Sequence, residues 1–113
     1  MATYTIDTYE VRIPSSRPTT ELNPLKAVAG IYLYEGGQYR GYAYFFHDGT
    51  PLAPAIVDDA NGQIYVHYNL SQFAAILQLL REEEPVYLYG FDPTYAGLQT
   101  GGEPTGEEEG LDG

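Results

Sequence analysis

Apolar and polar positions alternate with a period of two over most of this chain, and one stretch alone follows a helical period. Residues 3–13, TYTIDTYEVRI, set Tyr4, Ile6 and Thr8 on one side and Thr5, Asp7, Tyr9, Val11 and Ile13 on the other. That pattern predicts a first strand, ended by Pro14. Residues 14–26 hold three prolines among hydroxyl side chains and read as a loop. Residues 27–46 carry two β-rich runs around Gly36-Gly37, the signature of a two-residue hairpin turn. Such a turn pairs Glu35 with Gln38, Tyr34 with Tyr39, Leu33 with Arg40, Tyr32 with Gly41 and Ile31 with Tyr42, so the Tyr32 ring would shield Gly41. His47 to Pro51 is a turn cluster, residues 55–57 a short strand, and Asn61-Gly62 a further turn. Residues 63–68, QIYVHY, alternate again.

The helical period begins at Asn69. Asn69 is a natural N-cap and Gln72 stands at the third helical position, which makes a capping-box pattern. Tyr68 and Phe73 are spaced as a hydrophobic staple. Leu70, Phe73, Leu77 and Leu80 form the stripe, widened by Ala74 and Ile76. Pro85 stops the helix, giving a span of 69–84. Residues 86–91, VYLYGF, form a last strand, and beyond Asp92-Pro93 the chain becomes rich in Gly, Pro and Glu. The order β-β-β-(β)-β-α-β predicts an α+β fold: a mainly antiparallel sheet of about five strands with one amphipathic helix on one face. It also predicts a single compact domain over residues 1–100 and an acidic Gly/Glu-rich tail over 101–113.

Each strand sorts its side chains. Ile31 and Leu33 oppose Tyr32 and Tyr34, Val86 and Leu88 oppose Tyr87 and Tyr89, and Ile64, Val66 and Tyr68 oppose Tyr65 and His67. One helix covers one face, and the aliphatic face is its natural partner. Tyr32, Tyr34, Tyr39, Tyr65, His67, Tyr87 and Tyr89 are therefore expected to make up a second face, with Tyr42, Tyr44 and Phe46 on the aliphatic side. Twelve tyrosines and no tryptophan in 113 residues make this face the main feature of the composition. It could be solvated, since tyrosine tolerates water at its hydroxyl. It could be an interface, for which tyrosine is enriched. It could also stack a base, a sugar or another flat ligand. Four strands followed by a helix, over roughly residues 3–84, resembles in topology the Whirly and PUR group of single-strand-binding proteins. The resemblance rests on no shared motif; it implies a base-stacking sheet, and no site residue is carried over from it.

Charge narrows these choices. The formal charge is −11, with Glu103, Glu107, Glu108, Glu109 and Asp112 crowded into the tail. A field of that sign repels phosphate, which disfavours nucleic acid and favours a basic protein partner. Glu82, Glu83 and Glu84 oppose the helix dipole at its C-terminal end. Together with Glu107, Glu108 and Glu109 they form a candidate acidic patch. The chain has no cysteine, which excludes disulfides and Cys-ligated zinc and is compatible with a cytoplasmic setting. The first residues show no signal-peptide pattern, and no apolar run has the length of a membrane span, so no membrane association is expected.

Catalytic chemistry is not indicated. His47-Asp48-Gly49 reads as turn chemistry, and His67 sits mid-strand as a packed histidine. Asp58-Asp59 with Asn61-Gly62 lacks the ligand spacing of a calcium loop. Gly36-Gly37 and Gly101-Gly102 do not lead a strand into a helix, as a phosphate cradle requires. The expectation is a small, soluble, acidic, non-enzymatic protein with no catalytic residue, metal or cofactor, forming a homodimer through its tyrosine face. The alternatives are a module that stacks a ligand or single strand on that face, and an acidic mimic that engages a basic site on a partner protein.

Overall fold

The structure, a computed structural model, describes residues 2–15 and 27–101. Within them the chain forms β1 (Ala2–Ile6), β2 (Thr8–Arg12), β3 (Ala29–Glu35), β4 (Gln38–Phe46), β5 (Ile56–Asp58), β6 (Gln63–Asn69), α1 (Phe73–Glu82), β7 (Val86–Asp92) and β8 (Tyr95–Thr100). The class is α+β with antiparallel pairing predominant. The strands divide between two sheets, ordered β1-β7-β8 and β2-β3-β4-β6-β5, where the sequence predicts one sheet of about five. The larger sheet is mixed, because β4 and β6 run parallel. Two reversals, one through residues 47–55 and one at Asn61-Gly62, return β6 to the direction of β4. The likeness to the Whirly and PUR group does not carry through, since the strands ahead of the helix lie in two sheets.

The predicted first strand is two strands. At Asp7 the chain leaves β1, which pairs with β7, and enters β2, which pairs with β3. The Asp7 backbone N–H donates to the Tyr34 carbonyl at 3.1 Å. Its carboxylate accepts the Gly36 N–H at 2.8 Å and the Thr8 hydroxyl at 3.0 Å. An aspartate that binds nearby backbone in this way competes with a continuous ladder.

The Gly36-Gly37 turn forms as its sequence requires, with φ of +57° and +85°. Glu35 pairs Gln38 and Tyr34 pairs Tyr39, as predicted. Beyond them a bulge sets Leu33 against Gly41, Tyr32 against Tyr42 and Ile31 against Ala43. Gly41 explains the shift. A Cβ there would lie 1.8 Å from the Ile64 carbonyl oxygen, so this position fits only a residue with no side chain against β6. Arg40 becomes the extra residue. Its Nε donates to Glu35 Oε1 at 3.0 Å, and its guanidinium lies 4.2 Å from the Tyr4 ring centroid.

The core lies between the two sheets. Ile31, Leu33, Ala43, Phe45, Ile64 and Leu88 are its most enclosed apolar side chains. The predicted helix is realised as a 3-10 turn, Leu70–Gln72, followed by α1. The capping box is present: the Asn69 N–H donates to Gln72 Oε1 at 3.0 Å. Phe73, Ile76 and Leu80 pack from the helix onto the core. Tyr68 and Phe73 both meet Phe45, at ring distances of 5.7 Å and 4.9 Å. β8 falls where the sequence reads only as the approach to the tail. Asp92 accepts hydrogen bonds from the Thr94 N–H and hydroxyl, each at 2.7 Å, and so turns the chain back onto β7.

Candidate functional site

The outer face of the larger sheet is built by register. Cross-strand pairing aligns Glu10, Tyr32, Tyr42, Tyr65 and Ile56 in one row across all five strands. The adjacent row holds Arg12, Gly30, Tyr44 and His67. Both the smaller sheet and α1 pack on the inner face, so no described strand or helix remains to cover the outer one.

The rings on this face contact one another. Tyr42 lies 4.4 Å from Tyr32, edge to face, and 4.4 Å from Tyr44, stacked at 10°. Tyr39 bridges Tyr32 and Tyr34 at 6.0 Å from each. Tyr44 and Phe46 flank His67 at 5.7 Å and 5.8 Å. Such pairs add about 0.5–1.5 kcal/mol each beyond the area they bury. The Tyr42 ring also lies over Gly30, where a Cβ would meet its Cε1 at 1.9 Å. An aromatic ring does shield a strand glycine, but the pair is Tyr42 over Gly30, where the sequence predicts Tyr32 over Gly41.

Few charges interrupt this surface. Burial pushes the Tyr39 hydroxyl well above the usual phenol range, with Tyr65 beside it adding to the shift. Burial likewise raises Tyr44, assisted by Tyr65 and Tyr32. These rings therefore remain neutral at physiological pH. Tyr65 donates its hydroxyl to Gln63 Oε1. Glu10 accepts the Tyr34 hydroxyl at 3.1 Å, and the Arg12 guanidinium lies 4.9 Å from the Tyr32 centroid.

Of the seven predicted face residues, Tyr32, Tyr34, Tyr39, Tyr65 and His67 lie on this surface. Tyr87 and Tyr89 do not. β7 pairs with β1 and β8, which places them on the outer side of the smaller sheet. There Tyr89 joins Phe91 and Tyr95 in a separate cluster, at 5.8 Å and 5.6 Å. The bulge transfers Tyr42, Tyr44 and Phe46 to the tyrosine face, against the predicted register. Ile56 and Arg12 also belong to it. The lone glycine at 41 beside Arg40 is the local signal for that bulge.

His67 Nδ1 lies 3.0 Å from the Ala53 carbonyl oxygen. A carbonyl only accepts, so Nδ1 carries a proton and donates it to Ala53. Its Nε2 is enclosed and makes no hydrogen bond among the described residues. No described group of three or more His, Asp or Glu side chains is placed to hold a metal ion. Glu82, Glu83 and Glu84 are exposed. Glu83 and Glu84 border a cleft of about 320 Å³ together with Asp7, Leu80 and Arg81. Glu107, Glu108 and Glu109 lie outside the described residues. Among the described residues no helix is long and apolar enough to cross a membrane. Compared with protein-family models, curated proteins and solved structures, the chain finds no match.

Proposed function

We propose that this protein is a non-enzymatic assembly module that self-associates through the outer face of its five-stranded sheet. The observation that carries the proposal is the five-strand row of Glu10, Tyr32, Tyr42, Tyr65 and Ile56, a continuous and mostly aromatic band on the face of the sheet opposite the core. Contiguous exposed apolar and aromatic surface marks interfaces. A second copy is the partner that this surface fits. Two chains of net charge −11 repel each other, and the repulsion is least where they meet through neutral tyrosines. Ile56, 49% exposed at the β5 end of the row, adds an apolar contact that water solvates poorly. A twofold contact would use the same patch on both copies. The cysteine-free sequence permits a cytoplasmic setting for this assembly.

Stacking of a flat ligand ranks second. Tyr42 and Tyr44 already cover each other's faces, and Arg12 lies over Tyr32, so less ring surface is left for a base or sugar. A basic protein bound at the Glu82–Glu84 end ranks third; its support is the charge and exposure of those acids.

Sedimentation equilibrium over a range of micromolar concentrations tests the proposal. The wild-type chain should show reversible dimerisation. Ile56→Asp combined with Tyr32→Ser should associate more weakly than wild type, with an unchanged circular dichroism spectrum. A wild-type monomer at all concentrations, or a double variant that associates as strongly as wild type, would refute it.

A further inference from the structure

The two sheets have four edges, and three of them are blocked. At the β1 edge the Thr5 N–H is taken by Glu35 Oε2 at 3.1 Å. At the β8 edge the Leu98 N–H is taken by the Tyr68 hydroxyl at 3.2 Å. β5 is three residues long and ends on Asp58. These are the devices by which sheets keep their edges from pairing with other chains. β2 is different. Among the described residues it pairs with β3 alone, and it runs five residues, Thr8–Arg12, before Pro14 interrupts the backbone N–H series. Beside this edge stand two of the exposed large apolar side chains, Val11 at 41% and Ile13 at 64%. Val11 pairs with Ile31 and Tyr9 with Leu33, so the three side chains point to the core side of the sheet, beyond the cover of the smaller sheet.

We propose that β2 is a second self-association site, where two copies join edge to edge in antiparallel register with Val11 facing the same residue of the partner. An antiparallel pair is its own mirror across a twofold axis, so one strand can serve both copies. This register gives Tyr9, Glu10, Val11 and Arg12 complementary partners. Tyr9 faces the partner's Ile13, and Ile13 faces the partner's Tyr9, which buries the exposed apolar side chains on the inner side. On the outer side Glu10 faces the partner's Arg12, and Arg12 the partner's Glu10. The charges on this edge are complementary to themselves, whereas a protective edge carries charges of one sign. The two five-stranded sheets become one continuous sheet of ten, and their tyrosine faces join without being covered. The contact is thus independent of the face-to-face association proposed above.

The absence of cysteine allows a direct test. In the proposed register the Val11 Cα atoms of the two copies are about 4.5–5.5 Å apart, within the span of a disulfide. Val11→Cys should cross-link to a covalent dimer under diamide at least tenfold faster than Gln78→Cys on the exposed side of α1. In the Val11→Cys background, Glu10→Arg should slow cross-linking several-fold, and Glu10→Arg with Arg12→Glu should restore it. Cross-linking should persist when Ile56→Asp, on the far edge strand of the same sheet, is added. Equal rates for the two cysteine variants would overturn the proposal. So would cross-linking that disappears with Ile56→Asp, since the sulfurs would then meet only within the face-to-face dimer.

Discussion

Gly41→Ala should be a highly damaging substitution in the inner row of β4, although it adds one methyl group. The new Cβ would lie 1.8 Å from the Ile64 carbonyl oxygen, 2.9 Å from its carbonyl carbon and 3.1 Å from Leu88 Cδ2. Ordinary contact begins at 3.4 Å, so the β6 backbone would have to retreat by about 1.6 Å. Neighbouring strands stand only about 4.8 Å apart, so a displacement of that size breaks ladder hydrogen bonds. Inserting a methylene among side chains that can shift costs about 1–3 kcal/mol. Here the obstacle is backbone, which places the cost at about 3 kcal/mol or above. For a chain of this size each kcal/mol lowers Tm by about 4–8 °C, so a fall beyond about 10 °C is expected. Gly36→Ala is the control. It meets nothing within 4 Å, and its cost comes only from φ of +57°, about 1–2 kcal/mol. Urea denaturation followed by circular dichroism gives both values. A Gly41→Ala protein as stable as Gly36→Ala would refute the account of the bulge, because Gly41 would then not be what fixes the register.

The buried tyrosines predict an alkaline limit. Tyr39, Tyr44 and Tyr68 have pKa values raised above 10.0, with burial as the largest cause for each. Below pH 10.0 both states keep these protons and their contribution to stability is complete. Above it the unfolded chain releases protons first, so stability falls as pH rises towards the folded-state values. Urea midpoints taken either side of pH 10 should decline on the alkaline side, alongside a tyrosinate absorbance titration delayed relative to the unfolded chain; midpoints that stay level would contradict the burial. Tyr68→Phe removes the acceptor of the Leu98 N–H and should cost about 1–3 kcal/mol in urea unfolding, with an unchanged midpoint counting against the β8 edge contact.

Local chemistry made much of this fold legible. The Gly36-Gly37 turn, the capping box at Asn69 and Gln72, and the segregation of aliphatic from aromatic side chains on each strand all depend on residues close in sequence. The errors lie where distant residues decide. The register beyond Tyr39 depends on Gly41 meeting Ile64, a neighbour that only the parallel β4–β6 pairing supplies. Alternation places Tyr87 and Tyr89 opposite Leu88 correctly, yet it cannot say that β7 joins β1 instead of β3 or β6. β8 has the composition YAGLQT, in which Ala and Gly leave too little hydrophobic contrast for a period of two. As a result the tyrosine face contains Tyr42 and Tyr44, which the predicted register excludes, and lacks Tyr87 and Tyr89, which it includes.

The division of the first strand at Asp7 also governs how the molecule opens. β1 is laid against β7 and β2 against β3, and three hydrogen bonds converge on Asp7 between them. Neither sheet can shed its share of this segment without loosening the other. The amides of β7, near the end of the described chain, and those of β3, near its beginning, therefore belong to one cooperative unit. Native-state hydrogen exchange would find them opening with the same free energy and the same dependence on denaturant, as a single foldon held shut by residues 2–12.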